Sequence, residues 1–225
     1  MKGGTGKESM GTTPKSRLLR FCACFLLLAG NVFAESPAQA APAAKTYRDY
    51  PEWAEFPNAI DMEDENEVMR YRRFVEKGES AYAALMAIVR ECDDRFTVST
   101  ALAILRESQG DKRAVVAELK DLFAKRLLEA QGDGEWTMCY MADAIADMGG
   151  EEDAEVLIPM LDHPGWIVRV NGARFLGRIG GEKALEALKE ARQQAQDRNP
   201  TERDAIDEAI SAIENRLQEQ AEGGG

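Results

Sequence analysis

Three observations predict an all-α fold, an α-solenoid of about four stacked helix pairs behind an irregular N-terminal cap. Ala, Leu and Glu are abundant and aromatics make up only 7% of the 225 residues, a balance that favours helix over sheet. From Glu79 onward, amphipathic stretches of helical length follow one another across very short breaks. Those stretches also align with each other when their terminal glycines are superimposed, so the chain repeats itself.

The first 34 residues read as a secretory signal. Lys15, Arg17 and Arg20 form a basic start, FCACFLLLAG from Phe21 to Gly30 is the apolar core, and Val32-Phe33-Ala34 offers the small residues a signal peptidase needs. The apolar run is too short to cross about 30 Å of hydrocarbon as a helix. Cleavage is expected after Ala34 or after Ala40, and translation starts at Met1 or Met10. An exported protein, periplasmic or extracellular, with no stable membrane span after cleavage is the expectation.

The whole chain carries a formal net charge of −12. Losing the leader, with its five basic residues and one acidic residue, leaves 23 Lys and Arg against 39 Asp and Glu, a net charge of −16. Such a surface repels phosphate backbones and anionic lipid. Nucleic acid is therefore excluded as a partner class, and a neutral or basic protein is the natural one. Cys22 and Cys24 leave with the leader, so only Cys92 and Cys139 remain. They fall in adjacent repeats and either stay two buried thiols or form one bridge, since spacing alone does not fix connectivity.

Residues 35–45 are rich in Ala and Pro with almost no large apolar side chain, the composition of a disordered linker. Residues 46–78 form the predicted cap. TYRDYPEWAEFP brings Tyr47, Tyr50, Trp53 and Phe56 together around two prolines that prevent a regular helix. DMEDENEVMRYRRFVEKG follows, acidic at its start and basic toward its end, which suits a helix dipole, and Gly78 ends it.

Eight further helices are predicted over 79–92, 95–108, 111–129, 135–148, 151–162, 165–179, 182–197 and 200–219, with 221–225 a disordered tail. Their breaks have identifiable causes. Asp93-Asp94, Gly110-Asp111, Gly132-Asp133-Gly134, Gly149-Gly150, His163-Pro164-Gly165 and Gly180-Gly181 supply stops and N-caps. Asn199-Pro200-Thr201-Glu202 reads as a cap, a first-turn proline and a glutamate at the third helical position.

Aligning FTVSTALAILRESQG, WTMCYMADAIADMGG and IVRVNGARFLGRIGG on their glycines superimposes Val98, Met138 and Arg169, then Ala101, Met141 and Gly172, then Leu105, Ile145 and Leu176. The glycines are 40 and then 31 residues apart. Two helices per period with one shared buried pattern means that each pair buries its apolar face against its neighbours. Leu161-Asp162, Ile167-Val168-Arg169, Gly172-Ala173, Leu176-Gly177 and Ile179-Gly180-Gly181 resemble the HEAT-like repeat family of the phycobilisome-lyase type. The match is densest over Glu151–Gly181 and extends as architecture over 79–220. The resemblance implies that Arg169 bonds within or between repeats; Val98 and Met138 stand where the neighbouring repeats lack that arginine. Such a pattern defines a fold and does not carry a function with it.

Candidate chemistry is thin. His163 is the chain's one histidine, sits in an inter-helix turn and lacks the partners that a general base needs. Cys92, Cys139 and His163 have no metal-ligand spacing, and DMEDENE lacks the glycine and distal glutamate of a calcium loop. No catalytic residue, metal or cofactor is expected. Trp136 and Trp166, each opening the second helix of a pair, read as packing anchors.

The second helices of stacked pairs usually line the partner-binding side of a solenoid. In the aligned register their non-core positions are Thr100, Ala103 and Glu107, then Tyr140, Asp143 and Asp147, then Asn171, Arg174 and Arg178. Acid faces base between neighbours there, so some of these side chains pair with one another. The functional expectation is a non-catalytic protein-binding module whose partner-binding residues include Thr100, Tyr140, Asp143, Asp147, Asn171, Arg174 and Arg178. Two alternatives stay open: an enzyme or subunit of the bilin-lyase-like repeat type, implied by the resemblance, and a structural envelope module without a discrete ligand.

Overall fold

The computed structural model describes residues 47–51, 56, 63–129, 132–195 and 199–223, apart from the side chains of 47 and 133. The leader and its cleavage sites, the 35–45 linker and half of the aromatic segment, Trp53 included, lie outside the described residues. The described residues belong to a compact unit spanning Ala44–Gly225 and form helices and turns, with no strand among them.

Helix α1, Glu65–Lys77, begins where the Asp64 carboxylate accepts the Asn66 N–H at 2.8 Å. It ends at Gly78, whose φ of 56° is a left-handed value that a side chain resists. A 3₁₀ turn, Gly78–Ala81, then feeds α2, Tyr82–Glu91, so the helix predicted from 79 starts one tight turn late. Six consecutive residues of α2, Ala84 to Val89, are buried, because neighbours cover it on more than one side.

Asp94 caps α3, Arg95–Glu107, accepting the Thr97 N–H at 2.8 Å and the Thr97 hydroxyl at 2.6 Å. Those bonds, the hydroxyl's first, hold the Asp94 carboxyl below its ordinary pKa. The stabilisation from a depressed carboxyl is present above its unfolded-state pKa and is lost as pH falls through the folded one. Asp94→Ala should therefore cost about 1 kcal/mol at pH 7. Urea unfolding of the variant and the parent should converge as the solution is acidified.

Helix α4 spans Arg113–Glu129 and α5 spans Asp133–Met148. The next element, Glu151–Asp162, is predicted as an ordinary helix, yet it winds as 3₁₀ with Pro159 inside it. A proline has no N–H to give and its ring crowds the carbonyl four residues back, so the tighter winding suits it. At its start the Gly150 N–H donates to the Asp153 carboxylate at 3.0 Å while the Asp153 N–H donates to the Gly150 carbonyl, also at 3.0 Å. Helices α6, Trp166–Ile179, α7, Glu182–Gln194, and α8, Pro200–Gly223, complete the chain, and α8 continues past the predicted end at 219.

The helices stack in two layers. In one, α3, α5, α6 and α8 lie side by side in that order; in the other are α2, α4, the 151–162 segment and α7. Each member of the second layer packs on the helix that follows it in the chain, giving the four pairs α2/α3, α4/α5, 151–162/α6 and α7/α8, with α1 against α3 at one end. The aligned positions fall inside, except that Arg169 is partly exposed. Val98, Ala101, Leu105, Met138, Met141, Ile145 and Leu176 are 0% exposed, and Gly172 is buried with them. One continuous core joins Leu85 near the N-terminal end to Ile213 on α8.

Candidate interaction face

One side of each second helix is left open. On α3 it carries Phe96, Ser99, Ala103 and Arg106; on α5, Trp136, Tyr140, Asp143 and Asp147; on α6, Ile167, Asn171, Arg174 and Arg178. Steps of three and four residues keep each set on one side of its helix. The three rows give a face that changes character along its length.

At the C-terminal ends of the helices the face is ionic. Arg106 on α3 pairs with Asp143 at 2.7 Å and with Asp147, and Arg178 on α6 reaches the same two carboxylates at 3.0 and 2.8 Å. The α5 aspartates, about a quarter exposed at 26% and 28%, are thus bracketed by an arginine from each neighbouring repeat. Arg178 also donates to the Asp143 carbonyl at 3.1 Å and lies 5.4 Å over the Phe175 ring. Exposed pairs of this sort contribute roughly 0.2–1 kcal/mol each, so their main effect is to set the register of three repeats and to neutralise the charge at this end. Arg174 is exposed beside them and makes no hydrogen bond or ion pair with any described residue.

Midway along, Tyr140 is half-buried, and Asn171 donates to the Ile167 carbonyl at 3.0 Å and approaches the Cys139 sulfur at 3.7 Å. Cys92 and Cys139 are both buried and unbridged, which resolves the open choice in favour of free thiols. Burial pushes the Cys139 thiol up to about 11, which leaves it a poor nucleophile at neutral pH.

The opposite end is aromatic. Phe96, Trp136 and Trp166 stand in the first turns of α3, α5 and α6 and are 53%, 39% and 47% exposed. The two tryptophans are therefore not the packing anchors that the sequence suggests. In the first turn of a helix a large ring has only the preceding break beside it, and here those breaks are short and polar.

Thr100 requires the opposite correction. It is 3% exposed and does not belong to the open face, where Ser99 takes its place and Arg106 joins Glu107. A threonine hydroxyl can satisfy itself within its own helix, so polarity at that position does not dictate exposure. The other expected positions lie where the register places them: Tyr140, Asp143 and Asn171 are half-buried and Asp147, Arg174 and Arg178 are on the surface.

Beneath the aromatic end, His163 is 7% exposed, and its Nδ1 accepts the Gly165 N–H at 3.0 Å. Arg169, 14% exposed, fills the adjacent space. Its Nη1 donates to the His163 and Pro164 carbonyls at 2.7 and 2.8 Å, and its Nε and Nη2 each donate at 2.8 Å to one oxygen of Glu202. That carboxylate lies on α8 and is 1% exposed. One guanidinium thus joins the turn before its own helix to the next repeat, as the resemblance implies. The sequence contained no sign that Glu202 was the acceptor.

Among the described residues no group of three or more His, Cys, Asp or Glu side chains is placed to hold a metal ion, and no helix is long and apolar enough to cross a membrane. No curated protein and no solved structure gives a significant match to the chain. A family description, HEAT repeats, matches residues 125–210, the end of α4 through the first half of α8. Over that span the chain is similar to HEAT repeats, and the described helices, paired and stacked, form an all-α solenoid.

Proposed function

We propose that this is an exported, non-catalytic binding module that engages another protein through the open face of α3, α5 and α6. HEAT repeats generally mediate protein–protein contacts, which supports the class of function. The observation that carries the reading is the run of half-exposed aromatics in successive repeats, Phe96, Trp136 and Trp166, continuous with Tyr140 and an internally neutralised ionic end. Monomers seldom present large rings in register without using them, and aromatic and arginine side chains are those that dominate interface energies. Against catalysis stands the environment of His163, whose ring nitrogen is engaged by a backbone N–H inside a turn. The basic start and short apolar run before Ala34 support export to the periplasm or the extracellular space.

The test is affinity capture from a native envelope extract with the mature protein and with a Tyr140→Ala/Arg174→Ala variant; Arg174 is exposed, Tyr140 is partly buried against the core, and circular dichroism checks that the variant is folded. A specific partner should be retained by the parent and reduced at least tenfold with the variant, and the protein recovered from the envelope should begin at Glu35 or Ala41 by intact mass. Equal retention by the variant sinks the proposed face, and an intact leader in the recovered protein sinks export.

A further inference from the structure

The ends of the open face can be ordered without ambiguity. Arg106, Asp143, Asp147 and Arg178 bring the C-terminal ends of α3, α5 and α6 together, so the N-terminal ends of these helices share the opposite margin. There the breaks before each helix place Phe96, Trp136 and Trp166 in successive repeats. Side-by-side helices are about 8–10 Å apart, a spacing that an extended peptide spans with two or three residues per repeat.

The same margin is acidic. Asp93, Asp94 and Asp162 are exposed in the breaks, and Glu135 lies between two repeats, its carboxylate so close to Gly165 that a side chain added there would meet Oε1 at 2.5 Å. Three helix N-termini offset this by roughly half a positive charge each, and Arg95 contributes one more. The Arg126 guanidinium, held by the Val89 and Arg90 carbonyls at 3.3 and 3.4 Å, adds another, so about 3.5 positive charges face four carboxylates, and Arg169 is neutralised by Glu202. The field over the rings is therefore negative, which disfavours an anionic occupant. Phe96 also shows what its ring accepts, since the Arg95 guanidinium lies 4.8 Å over it.

We propose that this margin docks an extended basic segment of a partner protein, with arginine or lysine side chains set over the rings of Trp136 and Trp166 and held by Glu135 and the break aspartates. A cation over an aromatic face gains from the ring quadrupole, most of all over tryptophan, and a flanking carboxylate adds to it. The inference rests on the binding-face reading above and names the chemistry of its occupant.

The probe is a synthetic peptide of alternating arginine and glycine, titrated calorimetrically into the full mature protein, with glutamine replacing arginine in the control. The arginine peptide should bind and the glutamine peptide should not, and affinity should fall steeply with salt. Trp136→Ala/Trp166→Ala should weaken binding about tenfold or more, and Glu135→Gln about threefold. Glu151→Gln/Glu152→Gln, on exposed carboxylates of the other layer, should leave it unchanged. Equal binding of the glutamine peptide, no binding of the arginine peptide, or equal weakening by the Glu151/Glu152 variant overturns the proposal. If the peptide fails while envelope capture still depends on Tyr140 and Arg174, the face reading stands and only the basic occupant falls. Circular dichroism of each variant should match the parent, because the substituted side chains are not part of the core.

Discussion

Replacing Glu202 with alanine is expected to destabilise the protein by about 3–5 kcal/mol, the cost of leaving a largely buried charge without its partner. Arg169 donates two parallel bonds to that carboxylate and is itself only 14% exposed, so water does not readily take over. Arg169→Ala should cost a similar amount, since it removes both guanidinium bonds to a carboxylate that is 1% exposed and also frees the His163 and Pro164 carbonyls. An Arg169→Met/Glu202→Leu double substitution should recover much of the loss, because removing both charges avoids the unpaired one. Chemical denaturation of all four proteins checks this; a single-substitution cost below about 1 kcal/mol would show the pair to be solvated. The loss should also be local. Stability in a stacked repeat protein resides in nearest-neighbour interfaces, so hydrogen exchange should accelerate first in α8 and in the facing part of α6.

The second large effect is steric. Gly177 on α6 faces α8, and a Cβ there would lie 2.9 Å from both the Cα and the Cβ of Ala209. Neither atom can move aside by a rotamer change, so a side chain at 177 drives the two helix backbones apart. Gly177→Leu should cost about 3 kcal/mol through overpacking. Gly177→Ala should cost less, because alanine regains about 1 kcal/mol of helix propensity while its one carbon meets the same contact. Gly223→Ala is the control, with no atom within 4 Å of the added carbon, and should leave stability nearly unchanged. Thermal unfolding should separate the set by several degrees, at roughly 2–4 °C per kcal/mol for a chain of this size. A Gly177→Leu protein that melts with the parent would refute the close approach.

Much of the architecture was legible because burial in a repeat is periodic. Superimposing terminal glycines was enough to place Leu105, Ile145 and Leu176 in the core and to pair the helices two to a repeat. Local chemistry was legible too where it acts over three or four residues, as at Asp94 and Gly78. The sequence was silent where the relevant neighbour is remote. Glu202 lies 33 positions from Arg169, and nothing in a helix-start glutamate reveals that its carboxylate faces another repeat. The open face was half legible. The pairing of acid with base between Asp143, Asp147 and Arg178 followed from register, but the same register assigned Thr100 outward, and Trp136 and Trp166 were assigned inward as helix-start aromatics. Both rules are averages over protein surfaces. A first-turn tryptophan and a mid-helix threonine are the positions at which they fail, because exposure there is set by what the preceding break can cover and by what a hydroxyl can satisfy internally.

The ionic pairing of Arg106 and Arg178 across Asp143 and Asp147 also has a mechanical meaning. Each α5 carboxylate is held by an arginine from the repeat before and an arginine from the repeat after, so a tilt of either outer helix strains bonds made to the same two aspartates. The C-terminal ends of α3 and α6 are thereby coupled to each other through Asp143 and Asp147, although these two helices share no direct ion pair among the described residues. Salt screens such partly exposed pairs, so ionic strength acts on the coupling between repeats as well as on any charged partner.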